Sequence, residues 1–161
     1  MLALVDLMDT GLPCPPAVVD AWLPRRDPGM LFRVVVREVE SWLLADRTNL
    51  ADFLRVAVAK VPSAPEEEID PKQSLVNLAR KSRSAEIRRL LVPAKGSSAT
   101  EGPAYTSEMR RFVDNHWDVA EARKNAPSLA SCLKALEQRL SERTGRGSGA
   151  GSRVAPPAPA T

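Results

Sequence analysis

Two short apolar runs near the start of the chain predict β-strands. They cover residues 2–7 and 31–36, and the second is rich in β-branched residues and follows a turn-forming Asp-Pro-Gly sequence. Near-continuous apolar strands are typical of buried parallel sheets, and the segment 17–23 between them suits a crossover helix. The pattern therefore predicts a parallel β–α–β unit.

The remainder of the chain follows a helical period. Apolar residues recur about every 3.6 positions over 39–50, with a break expected at 47–49. Further helices are predicted over 70–81, over 84–91, around Met109 and Phe112, and from Pro127 onwards. The last of these carries a leucine stripe that we expect to pack in the core: Leu129, Leu133, Leu136 and Leu140.

A two-stranded parallel sheet leaves both faces and both edges without cover. Either further strands lie in segments such as 56–61, or the sheet takes strands from elsewhere. Because the chain starts at the first strand, we expect a fold that is truncated at its N-terminus. Residues 145–161 are rich in glycine and proline and are predicted to be a disordered tail, which leaves 1–144 as the folding unit.

Composition excludes several classes of protein. The 161 residues include 23 Lys and Arg against 20 Asp and Glu, a net charge of +3 that excludes a polycation of the histone type. Two cysteines exclude a disulfide scaffold, and no apolar run reaches the roughly 18–20 residues that span a bilayer. The apolar start is short and acidic, unlike a signal peptide. These features favour a cytoplasmic protein without a membrane partner.

Basic residues are concentrated in the middle of the chain. Between residues 71 and 95 seven of them oppose one acid, Glu86, which gives this stretch a charge of +6. Such a density on two helices suits contacts with nucleic-acid phosphates, although a solvated helical face explains it equally well. The candidate phosphate-binding residues are Lys72, Arg80, Lys81, Arg83, Arg88 and Arg89.

Acidic residues follow both predicted strands. Asp6 and Asp9 end the first, and Glu38 and Glu40 come directly after the second. The carboxyl ends of parallel strands form a ligand-binding crevice, and carboxylate oxygens there suit a divalent cation. The alternative is that these acids cap turns and begin a helix, where they favour the helix dipole. His116 is the only histidine, so a multi-histidine metal site within the chain is excluded.

Several segments resemble a bacterial family in the order in which it carries them. These are REVESWLLAD, DPKQSLVNLARKSRS, GPAYTSEMRRFVDNHW and PSLASCLKALEQ, within residues 2–140. The chain is similar to domain-of-unknown-function family 4276, a relative of the TOPRIM fold of topoisomerases and primases. The resemblance implies an α/β fold with a small, mostly parallel sheet, incomplete at the N-terminus, and a helical C-terminal part.

The resemblance also implies a chemistry and partners. TOPRIM carboxylates hold Mg²⁺, which neutralises a phosphodiester, and family members are often encoded beside an AAA or structural-maintenance-like ATPase, which implies phage defence. VDLMD resembles the Asp-x-Asp strand, with Met8 at the place of the second Asp, and the upstream strand with the first Glu has no counterpart. We assign Asp6, Asp9 and Glu40 to the metal, and Glu38 and Glu40 to catalysis.

Two functions follow as hypotheses. The first is Mg²⁺-dependent, nuclease-type chemistry on DNA or RNA in an ATPase-linked defence system, with activity dependent on whether the truncation is real. The alternative is a non-catalytic subunit that uses the same basic helices to bind nucleic acid or an ATPase. An inactive fragment is a third interpretation. Substrate, partner and oligomeric state are not encoded in any motif that the sequence contains.

Overall fold

The computed structural model describes residues 1–25 and 27–147. Strands β1 (Leu2–Asp6) and β2 (Leu31–Val35) pair in parallel, in a register that sets Leu2 opposite Leu31 and Asp6 opposite Val35. Helix α1 (Pro15–Trp22) makes the crossover between them. The sequence-based β–α–β unit is therefore confirmed, and the chain is a mixed α/β protein.

Helices make up the rest of the described fold. Asp70 and Ser84 cap two of them as expected, because their side chains accept hydrogen bonds from the backbone N–H groups of Gln73 and Ile87. Short 3-10 turns lie at Met8–Thr10, Val58–Lys60 and Pro65–Glu67. The remaining helices are α2 (Glu40–Ala45), α3 (Arg47–Leu54), α4 (Pro71–Arg80), α5 (Ala85–Leu91), α6 (Tyr105–Asn115), α7 (Val119–Asn125) and α8 (Pro127–Gly147).

The break between α2 and α3 is made by one buried acid. Asp46 leaves the helical conformation, with ψ 70°, and its carboxylate accepts hydrogen bonds from the backbone and side chain of Asn49. The same carboxylate accepts the N–H of Asp118 at 2.7 Å, just before α7. Asp46 is therefore a junction between three helices and takes no part in the acidic site described below.

Two apolar clusters form the core. The larger lies among α2 to α6 and contains the tilted ring pair Phe53 and Phe112, whose centroids are 5.2 Å apart. The smaller joins Val35 of β2 to Trp42, α7 and the first turns of α8. Trp117 packs against both clusters, so this tryptophan links the helical body to the part that carries the sheet.

Three sequence-based expectations differ from the structure. Residues 56–61 contain a 3-10 turn rather than a strand, and the described residues hold two strands only. Leu140 is 62% exposed and not in the core; it follows Arg139, whose side chain reaches the carbonyl of Met30 just before β2. Helix α8 also extends through 145–147, which were expected to be disordered, whereas the rest of that predicted tail, 148–161, lies outside the described residues.

Candidate functional site

The carboxyl ends of the two strands bring acidic residues together. Asp6 is the last residue of β1, and the pairing continues beyond it because the N–H of Leu7 donates to Val35 O and that of Met8 donates to Arg37 O. The turn that follows β2 is thereby held beside the end of β1. Four acids form what we call the carboxylate cluster: Asp6, Asp9, Glu38 and Glu40.

The turn between β2 and α2 has an unusual conformation. Arg37 takes a left-handed conformation with φ 66°, which costs a residue other than glycine roughly 1–2 kcal/mol. The hydroxyl of Ser41, which is fully buried, lies 2.7 Å from Glu38 O and 3.1 Å from Val36 O and fixes the turn. Strain of this kind is common where a backbone holds functional side chains in place.

Glu38 lies between the strand ends and the start of α4. Its Oε2 accepts the backbone N–H of Lys72 at 3.1 Å, one of the free amides in the first turn of that helix. Burial raises the pKa of Glu38, and the charges of Glu40 and Asp70 raise it further, whereas the Lys72 amide and ammonium lower it. The net shift is upward, and burial is its largest cause.

The carboxyl of Asp6 is also partly buried and has a raised pKa. Burial raises its pKa, and the neighbouring charges of Asp9 and Glu38 add to the shift. The backbone amide of Val39 and the more distant charge of Lys72 lower it without cancelling the rise. Asp6 is thus a partly buried carboxyl close enough to Asp9 and Glu38 for their charges to add to its pKa, and burial is the larger cause.

Glu40 is committed to a different set of contacts. It is 7% exposed, and its Oε1 accepts the hydroxyl of Tyr105 at 3.1 Å and lies 3.8 Å from the ammonium of Lys72. That ammonium also lies 3.3 Å from Glu101 and 5.5 Å from the centroid of the Tyr105 ring. Burial opposes the charged form of Lys72, but Glu40, Glu101 and Glu38 outweigh it and raise the pKa of Lys72.

The donor set fits a magnesium ion in one mode only. In the described part of the chain, no group of three or more Asp, Glu, His or Cys residues is arranged to hold a metal ion. Mg²⁺, however, commonly takes one or two protein carboxylates and completes its shell with water and substrate phosphates. Asp6, with Asp9 or Glu38 beside it, offers that oxygen-only donor pair, whereas Glu40 is already engaged by Tyr105 and Lys72.

The basic residues divide into two places. Arg80, Arg88 and Arg89 line one shallow cavity of about 520 Å³ between the end of α4 and α5, which we call the arginine cleft. Among the described residues, none of the three has a carboxylate within 4.0 Å. Lys81 and Arg83 are exposed beside it. Lys72, which the sequence grouped with them, lies in the carboxylate cluster at the other end of α4.

Two residues of the site are absent from the sequence-based candidates, Tyr105 and Glu101. Lys72 is among those candidates as a phosphate contact, but its ion pairs with Glu40 and Glu101 are not predicted from the sequence. A signal did exist, since Lys72 follows the Asp-Pro helix cap and Tyr105 follows the Gly-Pro-Ala turn, both within the quoted segments. Nothing in a one-dimensional pattern shows that two helix starts converge on one glutamate.

Comparisons with protein-family models, with curated proteins and with solved structures return no match to this chain. Among the described residues, no helix is both long and apolar enough to cross a membrane. Two features of the structure therefore bear on function. One is the carboxylate cluster at the carboxyl end of the parallel strand pair, and the other is the arginine cleft at the far end of α4.

Proposed function

We propose that this protein binds nucleic acid and acts on a phosphodiester with the help of Mg²⁺ at the carboxylate cluster. One observation carries the proposal: Asp6 and Glu38 lie at the carboxyl end of the paired strands, and burial, with the charges of neighbouring acids, raises the pKa of each carboxyl. A divalent cation would stabilise the ionised form of these partly buried carboxylates. The resemblance of the quoted segments to TOPRIM-like sequences would imply the same chemistry, and it is the sole basis for proposing an ATPase-linked defence role.

The residues of the cluster take different roles in this proposal. Asp6, with Asp9 and Glu38, would hold the cation, which would neutralise the charge of a bound phosphodiester. Glu40 positions rather than ligates, because its carboxylate accepts the Tyr105 hydroxyl and holds the ammonium of Lys72. The ammonium of Lys72, charged at neutral pH and 38% exposed, could also contact a phosphate oxygen of a bound substrate.

The arginine cleft would hold the nucleic-acid backbone at a distance from the cluster. Lys72 and Arg80 lie at opposite ends of α4, eight residues and therefore about 12 Å apart along the axis. That separation is close to the length of two nucleotide steps of an extended strand, and the fork of an arginine matches phosphate geometry. The cleft supports binding of the backbone by charge rather than base-specific recognition.

The test compares Asp6→Asn with a matched exposed control, Asp114→Asn, which lies on α6 away from the cluster. Labelled DNA and RNA oligonucleotides are incubated with millimolar Mg²⁺ or with chelator. We expect Mg²⁺-dependent cleavage that Asp6→Asn lowers roughly 100-fold or more, and that Asp114→Asn leaves unchanged. Calorimetric titration with Mn²⁺ gives a readout besides activity, and we expect Asp6→Asn to abolish that binding.

A second function, binding of nucleic acid without catalysis, is favoured by the arginines of the cleft, which have no carboxylate within 4.0 Å among the described residues. We expect Arg80→Gln with Arg89→Gln to weaken oligonucleotide binding and to flatten its salt dependence, while Lys134→Gln on α8 does neither. Binding that is lost in the double variant, together with no Mn²⁺ binding and no cleavage by the unmodified protein, would establish this second function and overturn the first.

A further inference from the structure

The free edge of β2 lies at the bottom of a groove. A cavity of about 840 Å³ is lined by residues of β2 and by two helices that flank it. Helix α1 forms one wall through Pro16, Val19 and Leu23, and α8 forms the other through Ser131 and Arg139. We call this cavity the β2-edge groove, and it is separate from both the carboxylate cluster and the arginine cleft.

The backbone of β2 presents unused hydrogen-bonding groups to the groove. The N–H of Leu31 donates to Met1 O and Val35 O accepts the N–H of Leu7, so the odd-numbered residues of β2 face β1. In a parallel ladder the alternate residues face the other way. The N–H and C=O groups of Phe32 and Val34 therefore point into the groove, and no described residue bonds to them there.

The two ends of this edge are already closed by side chains of α8. Arg139 donates to the carbonyls of Pro28 and Met30, just before the strand, and Ser128 Oγ accepts the N–H of Val36 at 3.5 Å, just after it. The open length between them is about five residues, or roughly 17 Å of extended chain. The groove thus matches a short strand with a defined start and end.

One side chain in the groove lacks a partner. The Nε of Arg33 is buried and makes no hydrogen bond to any described residue. Arg33 lies on the same face of β2 as Val35, which packs against Leu129 and Cys132 of α8. Three acids also line the cavity: Asp27 before the strand, Asp20 on the exposed face of α1, and Glu66, whose carboxylate accepts the N–H and hydroxyl of Ser128. A ligand strand would meet Arg33 on its α8 side and, apart from Asp20, an apolar wall on its α1 side. Among the described residues the Arg33 guanidinium also has no carboxylate within 4.0 Å, which favours a ligand that supplies one.

We propose that the β2-edge groove binds an extended peptide segment of a partner protein by strand addition, and that this segment alternates apolar and acidic side chains. Its backbone would pair with Phe32 and Val34, and a carboxylate would pair with Arg33. A second copy of the chain fits less well, because its own α1 and α8 would meet the walls. The segment 148–161 fits less well because Pro156, Pro157 and Pro159 have no N–H to donate.

The test uses a fluorescein-labelled peptide of sequence Val-Glu-Val-Glu-Val and the full-length protein. We expect saturable binding in fluorescence polarisation, with chemical-shift changes at the amides of Phe32 and Val34. Arg33→Gln should weaken binding about 10-fold, the loss of one charge-assisted contact, while the exposed control Arg110→Gln on α6 should not. Peptide-side controls avoid any loss of folding: the Val-Lys-Val-Lys-Val peptide and a backbone N-methylated peptide should each bind at least about 10-fold more weakly.

Each contrary result overturns a stated part of the proposal. Absence of binding by the acidic peptide overturns it altogether, and equal binding of the N-methylated peptide shows that no strand pairing occurs. A concentration-dependent dimer in sedimentation, dissociated by the peptide, would assign the groove to a second copy. Nuclear Overhauser contacts between the Val34 amide and residues 148–161 would assign it to the chain itself.

Discussion

The buried contact between Tyr105 and Glu40 gives the most direct energetic test of the site. Their side chains are 4% and 7% exposed, and the Tyr105 hydroxyl donates to Glu40 Oε1 at 3.1 Å. Hydrogen bonds to charged groups contribute about 1.5–3 kcal/mol in such positions. Tyr105→Phe keeps the ring and removes only the donor, so we expect a loss of about 2 kcal/mol of unfolding free energy.

Glu40→Ala removes the acceptor and leaves the Tyr105 hydroxyl buried without a partner, so we expect a loss of about 3 kcal/mol. The ion pair with Lys72 adds little, since that side chain is 38% exposed and screened by solvent. The double variant has no unpartnered hydroxyl. We therefore expect its loss of unfolding free energy to be about 2 kcal/mol smaller than the sum of the two single losses.

Urea unfolding at neutral pH, followed by circular dichroism, measures all four corners of this cycle. Glu86→Ala on the exposed face of α5 is the control, and we expect it to change stability by less than about 0.5 kcal/mol. A coupling energy below about 0.5 kcal/mol would refute the view that Glu40 is held by Tyr105. It would return Glu40 to the set of free carboxylates that could ligate a cation.

Two further expectations concern pH and packing. Because the pKa of Asp6 is raised in the folded state, the stabilisation from its neutral form is complete below the unfolded value of 3.8 and is lost as pH rises through the folded value. Asp6→Asn should therefore melt higher than the unmodified protein at pH 7 without divalent cations, with the difference vanishing near pH 3.5; an unchanged difference across this range would contradict the assignment. Gly102→Ala should cost about 2–3 kcal/mol in urea, because an added Cβ would lie 2.4 Å from Leu90 O, and a cost below about 1 kcal/mol would show that the turn can move aside.

The sequence predicts the elements that depend on a local pattern of residues. It does not predict features that depend on contacts between distant segments of the chain. The strand pair and the cap at Asp70 follow from apolar runs and cap chemistry within a few residues. Helix α7 was missed because it is short and buries only Ala122. Leu140 belongs to the same apolar stripe as Leu129 yet is mostly exposed, since periodicity shows which face of a helix is apolar but not how far its packing partner extends.

The candidate site shows the same limit. Glu38 and Asp6 were expected at one sheet edge because parallel strands end together, and their raised pKa values agree with that placement. The contacts of Lys72 and Tyr105 with Glu40 join segments that are more than thirty residues apart. Only the packing of α2 against α4 and of α5 against α6 decides that meeting, and a single sequence does not contain it.

The division of the core into two clusters separates the site into two cooperative units. The larger cluster contains no residue of either strand, whereas Val35 ties the strand pair to the smaller one. Tyr105 belongs to the larger cluster and its contact with Glu40 lies within the helical body, whereas Asp6 belongs to a strand pair that Val35 ties to the smaller cluster. Opening of the strand pair alone would separate Asp6 from Glu38 and leave the Glu40 contacts intact. We therefore expect the amide hydrogens of β1 to exchange before those of the helices around Glu40.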